Sequence, residues 1–458
     1  MRLWHRSEKP ITPQSRRNDL KVFNMRVHLS ALGCRLNEAE LERWASAFHK
    51  AGDSIASSAD DADVLVLNSC AVTREAVAKS RRKLTRLQRE NPAAKLVLTG
   101  CWSELESPGA LASHGIDLVV ANADKERLVP LTRAAFVDPA MPAAATRPAE
   151  SALFQRSRQR AFVKIQDGCR WRCTYCIVTV ARGEEVSRSM ADLVNEVNEL
   201  TAAGVNEIVL TGVHVGGYGS DIGSSLESLV RSLLNDTDMP RIRFASVEPW
   251  DLTPGFLAVL DNPRVLPHMH LPLQSGCDAT LKRMARRCRT EEFDRLFTEL
   301  RTRVPEFNVT TDLICGFPGE SDAEWQTTMD FVASQPFGDM HVFAYSEREG
   351  TAAASMGNPV PIETRRARSR EMHSLAEHLR EARLQHAIGT QAEVLWERGR
   401  LKPDGMLEFS GYTPNYHKVI TRSLDDLTGQ LTLVQIDGAE EGRLIGTVGN
   451  TGHSAAGR

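Results

Sequence analysis

Three cysteines, Cys169, Cys173 and Cys176, fall in the run DGCRWRCTYCIV, directly after the strand-like stretch Ala161–Gln166. A Cys-x-x-x-Cys-x-x-Cys loop at the end of a strand demands a fold that presents three thiolates together at one sheet edge. Thiolates at this spacing can hold three irons of a cubane cluster and leave the fourth iron open to an exogenous ligand. A structural zinc ion is the competing reading. It takes four ligands, however, and the nearest histidine, His214, is far along the chain.

A second trio is located by the pattern around it. In residues 25–138 short apolar runs alternate with amphipathic stretches. Arg26–Ala31, Asp63–Asn68 and Lys95–Thr99 read as strands, and Leu118–Val120 as a weaker fourth. Between the first two lies a helix, with Asn37 as its cap, Glu40 three residues on, Leu41, Trp44, Ala45 and Phe48 along one face, and Gly52 at its end. Such strand–helix repetition predicts a parallel sheet. Cys34, Cys70 and Cys101 each stand just past one of the three strands, in SALGC, VLNSC and LTGC. Parallel strands would bring them out along one edge, where open α/β sheets place their ligands. They can hold a second cluster; three buried packing thiols are the alternative.

Cys277, Cys288 and Cys315 show no ligand spacing and read as core or surface thiols. Nine cysteines, an odd number, in a chain without an export signal argue against a disulfide framework and for a cytoplasmic setting. No stretch approaches the roughly 20 apolar residues that span a bilayer. A formal net charge of −3 does not announce a nucleic-acid binder, but it is compatible with a local basic patch. Residues 1–24 are polar and basic and read as a disordered extension. Residues 139–158, rich in Pro, Ala, Arg and Ser, read as a linker, and 451–458 as a disordered tail.

Residues 159–387 alternate again. Strands are expected at Ala161–Gln166, Glu207–Leu210, Arg241–Ala245, Met269–Leu271, Asn308–Leu313 and Met340–Ala344, with helices between most of them and a long arginine-rich helix, Glu363–Gln385, at the end. That order predicts a partial (β/α) barrel with its active site at the C-terminal strand ends. The runs TGVHVGGYG, SVEP, HLPLQSG and TDLICGFPGE follow or end strands there. In them Gly212 and Gly316 permit close backbone approach to a cofactor. Glu248, Gln274 and Asp312 offer hydrogen bonds to its ribose, amino or carboxylate groups, though each also fits an ordinary strand-end role. Residues 388–450 turn to short strands separated by Gly, Pro and Asp, the pattern of a small all-β barrel.

The Cys169–Cys176 motif resembles the radical S-adenosylmethionine (SAM) superfamily. With the N-terminal trio and the barrel motifs, Met25–Asn450 looks like the radical SAM methylthiotransferase family. The resemblance implies an N-terminal cluster domain, a central radical SAM barrel and a C-terminal TRAM barrel. It implies two 4Fe–4S clusters, with Cys169, Cys173 and Cys176 holding the radical SAM cluster and Cys34, Cys70 and Cys101 an auxiliary one. SAM would be used both to methylate a sulfur and to yield the radical. A reductant such as a flavodoxin or ferredoxin, and a sulfur donor, would be partners, with no membrane involved.

Three substrate branches exist: tRNA N-6-threonylcarbamoyladenosine, tRNA N-6-isopentenyladenosine, and an aspartate of a ribosomal protein. ARGEEVSRS, HVFAYSEREGTAAA and GYTPNYHKV resemble the first, although ARGEEVSR also resembles the second. In the last run Tyr412 and Tyr416 can stack on bases and Lys418 can meet a phosphate, with plain barrel packing as the alternative. A non-catalytic iron–sulfur RNA-binding protein is the reading from another class. A ligand-free iron speaks against it.

Overall fold

The computed structural model describes residues 24–136 and 159–449. The expected linker and tail, and the extension up to residue 23, lie outside the described residues.

The first sheet is parallel, ordered β2-β1-β3-β4-β5 from β1 (Arg26–Ala31), β2 (Ser54–Ile55), β3 (Val64–Ser69), β4 (Lys95–Gly100) and β5 (Leu118–Val119). β3 is buried along its whole length, as a central strand covered on both faces must be. Val27, Leu29, Val64, Val66 and Val97 pack on one face with Trp44 and Phe48, and Leu65, Leu67, Leu96 and Leu98 on the other with Leu84 and Leu87. The short edge strand β2 carries too little pattern to be legible beforehand.

The helix after β1 departs from expectation. It runs Arg35–Lys50 with Cys34, not Asn37, at its N-cap, so Asn37 and Glu40 sit inside it, both buried. The Asn-x-x-Glu spacing imitates a capping box. Its side chains instead bind partners outside the helix, most of them distant in sequence. Gly52, at φ +90°, does follow the helix end.

The central strands are β6 (Arg160–Lys164), β9 (Glu207–Thr211), β10 (Arg241–Phe244), β11 (His268–His270), β12 (Asn308–Cys315) and β13 (Asp339–Ala344); β7 (Gln166–Asp167) and β8 (Val186–Ser187) form a short antiparallel pair beside them. Parallel pairing joins β6-β9-β10 and β11-β12-β13, and the bridges Ile242–Val265 and Ser246–His270 connect the halves. The result is a six-stranded open barrel. Outward residues (Val163, Ile208, Ile242, Met269, Val309) form the core under the surrounding helices. Helix Arg35–Lys50 lies against the inner face, where Ala39 meets Phe162, Val209 and Ala245. Helix Ile362–Ala387 closes this part of the chain.

The last strands are β14 (Gln391–Trp396), β15 (Arg400–Leu401), β16 (Leu407–Tyr412), β17 (Lys418–Ser423), β18 (Leu431–Glu440) and β19 (Arg443–Val448). The β14–β16 pairing closes five of them into a barrel around Val394, Trp396, Phe409, Val419 and Val434. At Gly411 a Cβ would stand 2.5 Å from the Leu395 carbonyl oxygen, so strand closure there requires glycine.

Candidate functional site

β1, β3 and β4 are adjacent and parallel, so the residues just past their C-terminal ends share one edge. Cys34, Cys70 and Cys101 occupy that edge, Cys34 open to solvent and the other two buried. Gly33 holds φ +99°, and a Cβ there would lie 2.6 Å from Cys70 Sγ, so the loop runs directly over that thiol.

The loop of the other trio leads into helix Val178–Arg182, whose last residue reaches Cys101 at this edge. Cys169, Cys173 and Cys176 are all partly exposed, beyond β6. Burial pushes the Cys70 thiol up to about 11, Cys169 to about 12 and Cys176 to about 11. As free thiols they stay protonated at neutral pH, so metal binding there must release protons. Around the loop, Trp171 Nε1 lies 3.2 Å from His214 Nε2. The His214 ring is held at 2.6 Å by both Glu185 and Asp251.

Between the two trios lies a buried charge network. Glu40, 2% exposed, accepts from Lys125 Nζ at 2.7 Å, Lys164 Nζ at 3.1 Å, Arg182 Nη1 at 3.1 Å and Asn68 Nδ2 at 2.8 Å. Arg182 also donates to Asp167 Oδ1 and Oδ2 at 3.0 Å, to Asn37 Oδ1 at 2.8 Å, and through Nε to Cys101 Sγ at 3.4 Å. Burial alone would raise the Glu40 carboxyl, but Lys125, Arg182 and Lys164 together hold it well below the usual carboxylate range. With all seven ionised, Arg43, Lys125, Lys164 and Arg182 against Glu40, Glu126 and Asp167 leave one uncompensated positive charge. A four-iron cluster of overall charge 2+ on three thiolates carries one negative charge, so the donor set and its surroundings fit such a group. The trio at the sheet edge was legible in sequence; the network was not. Its faint signal is Glu40 lying among the buried positions Leu36, Ala39, Leu41 and Trp44.

The remaining expected site residues are spread around the barrel. Gly212 follows β9 and packs on Gln166, whose Oε1 accepts from Val213 N at 3.1 Å and His214 N at 2.9 Å. Glu248 takes a two-pronged contact from Arg286 at 3.1 and 2.6 Å, and the same guanidinium reaches Cys173 Sγ at 3.9 Å. Gln274 has φ +73° and donates its N–H to the Asp312 carbonyl at 2.8 Å. Asp312 Oδ1 is shared by His270 Nε2 and His341 Nδ1, each at 3.1 Å. Gly316, at φ +74°, faces Arg365 of helix Ile362–Ala387, where a Cβ would meet Cγ at 2.4 Å. Arg286, His270 and His341 join the site without having been singled out.

Tyr412 and Tyr416 stack on each other at 4.8 Å, and Tyr416 on His268 at 4.5 Å. Arg160 lies 4.2 Å over the Tyr412 ring and Arg243 4.6 Å over Tyr416. Arg243 donates to the Pro414 and Thr413 carbonyls, and Asn308 to that of Asn415. The loop therefore seats the β barrel on the N-terminal ends of the central strands. Lys418 is half-buried, paired in register with Tyr412. Cys277, Cys288 and Cys315 are buried, at 7%, 8% and 0% exposure, which makes them packing thiols.

Among the described residues no helix is long and apolar enough to cross a membrane. Residues 163–332 match the Radical SAM superfamily and residues 26–121 the Uncharacterized protein family UPF0004. The chain is 33% identical over 427 residues to the threonylcarbamoyladenosine tRNA methylthiotransferase MtaB of Bacillus subtilis, covering 90% of this chain and 93% of that one. It is 34% identical to the protein of the same name from Thermotoga maritima, covering 86% and 90%. It is 32% identical to the tRNA-2-methylthio-N(6)-dimethylallyladenosine synthase of Staphylococcus saprophyticus, covering 92% and 84%. The fold resembles that of the radical SAM methyltransferase TsrM from Kitasatospora setae, with a TM-score of 0.55 at 15% identity, over 72% of this chain and 77% of that one. The cysteine loop on an open six-stranded barrel, the N-terminal sheet, the closed C-terminal barrel and these relatives lead to one conclusion: this chain is an enzyme of the radical SAM methylthiotransferase family, a family whose radical SAM domain uses a 4Fe–4S cluster and SAM.

Proposed function

We propose that the enzyme converts N-6-threonylcarbamoyladenosine at position 37 of tRNA, next to the anticodon, to its 2-methylthio derivative, using two 4Fe–4S clusters. The observation that carries this reading is the N-terminal edge where Cys34, Cys70 and Cys101 converge, bridged by Arg182 to the Cys169–Cys176 loop. Simple radical methylation needs no such second trio.

The bound clusters and SAM would supply a sulfur and a carbon-centred radical. The chain's own residues bind and orient. Cys169, Cys173 and Cys176 would leave one iron free for SAM. Gly212, Glu248 and Gln274 follow the C-terminal ends of β9, β10 and β11 and Asp312 lies within β12; SAM would lie against them. Cys34, Cys70 and Cys101 would hold the sulfur-carrying cluster opposite. A reductant and a sulfur donor complete the cycle in a cytoplasmic setting, and Lys418 would serve as an RNA-facing cation on the β barrel.

The substrate branch rests on GYTPNYHKV in the β barrel and on the two relatives named for threonylcarbamoyladenosine. Mass analysis of tRNA nucleosides from a deletion strain tests it. Loss of only the methylthio form of threonylcarbamoyladenosine is expected. Loss of only the methylthio isopentenyladenosine, the second reading favoured by the Staphylococcus relative, would reassign the branch. Failure to cleave SAM under strong reductant would point to a non-catalytic iron–sulfur RNA-binding protein.

A further inference from the structure

The five-residue helix Val178–Arg182 begins two residues past Cys176 and ends on Arg182. It thus runs from one trio of cysteines to the other. Its last side chain is 1% exposed and makes bonds in three directions: to Glu40 and Asn37 of the N-terminal helix, to Asp167 before the cysteine loop, and to Cys101 at the opposite edge. A guanidinium presents its donors in a rigid planar fork, whereas an ammonium is a point charge. Only the fork can satisfy acceptors from both domains and still aim Nε at the sulfur.

We propose that Arg182 is a positioning residue that fixes the separation of the two cluster sites and, through its Nε–H bond to Cys101, raises the reduction potential of the auxiliary cluster. The proposal rests on the two-cluster reading above. Hydrogen bonds to cluster sulfurs and the net charge nearby are among the levers that set such potentials. A fixed cation favours the more negative, reduced state. The surrounding charges support this role for Arg182. Glu40 and Asp167 are shared among Lys125, Lys164 and Arg182, and of these three cations Arg182 is the one bonded to the Cys101 edge. Mispositioning of the sulfur-bearing site by a single ångström would let the radical form without meeting its acceptor.

The test uses the full-length protein, reconstituted anaerobically with ferrous iron and sulfide. In a Cys169/Cys173/Cys176→Ala background only the auxiliary cluster remains, and its midpoint potential is read by EPR-monitored titration for Arg182, R182K and R182Q. In the otherwise native chain, the ratio of 5′-deoxyadenosine released to methylthio product formed is read for the same set. The expected result is a lower potential in R182Q, only partly restored in R182K, which returns the charge but not the fork, with the ratio rising at least tenfold in R182Q and less in R182K. The double variant D167N/R182Q removes a matched charge pair and stands in for R182Q if that protein does not fold; it loses the bond to Cys101 without a net change of charge, so a smaller fall in potential and the same rise in the ratio are expected. A potential and a ratio equal to those of the native arginine in both R182K and the glutamine variant would overturn the proposal. Absence of iron in the triple-alanine background with Arg182 intact would instead refute the two-cluster reading.

Discussion

Replacing Glu40 by glutamine tests the buried network most sharply. The change keeps size and shape but removes the carboxylate that faces Lys125 at 2.7 Å and Lys164 and Arg182 at 3.1 Å. Glu40 is 2% exposed and Lys125 likewise 2%, so water does not replace the lost partner. Breaking a buried ion pair from one side costs about 3–5 kcal/mol, because a charge is left uncompensated. Three cations left with Asp167 and, 3.7 Å from Lys164, the more exposed Glu126 put E40Q within that range at pH 7. The pH dependence carries a second signature. A carboxyl depressed in the folded state contributes stability that is present above its unfolded pKa and is lost as pH falls toward the folded value. Glu40 is depressed from a reference of 4.5, so the gap between wild type and E40Q should be full at pH 7 and shrink as pH falls below about 4.5. Hydrogen exchange at the amides of β3 in the apo protein reads the opening free energy of the N-terminal sheet at each pH. A wild-type and E40Q difference under about 1 kcal/mol at pH 7 would refute the argument, since it would mean that Glu40 is not the anion that balances these cations.

Three other outcomes follow from the geometry. C173A should abolish SAM cleavage, because the radical SAM cluster loses a ligand, whereas C70A should spare cleavage and stop sulfur insertion; product analysis by mass spectrometry checks both, and methylthio product from C70A would sink the second cluster. G33A would drive a methyl group to within 2.6 Å of Cys70 Sγ on a backbone at φ +99°, so iron per chain should fall by about half, as loss of one of two four-iron clusters requires, with SAM cleavage retained. His417 is buried and held down to about 4 by burial and by Arg383, so it is neutral when folded and charges on unfolding. The β barrel should therefore lose up to about 3 kcal/mol between pH 6.5 and pH 4, and H417Q should flatten that acid limb in urea titrations.

The parts legible in sequence are those set by local pattern. The six barrel strands follow from their alternation with helices, and the Cys34, Cys70 and Cys101 edge follows from three strand ends in parallel register. Asn37 and Glu40 show the limit of this reasoning. Their spacing satisfies a local capping rule, but their partners lie 85, 124 and 142 residues from Glu40, where no local pattern reaches. The same holds for Tyr412 and Tyr416. Their type suits base stacking, yet besides each other the groups that cover them in this structure, Arg160, Arg243 and His268, come from strands more than a hundred residues earlier.

Iron and acid-labile sulfide per chain, after anaerobic reconstitution of the wild type and of the Cys169/Cys173/Cys176→Ala variant, test the central claim most directly. About eight irons falling to about four is the predicted result, one four-iron cluster lost and one kept. About four falling to none would show that Cys34, Cys70 and Cys101 hold no cluster, and would contradict sulfur insertion from the N-terminal edge.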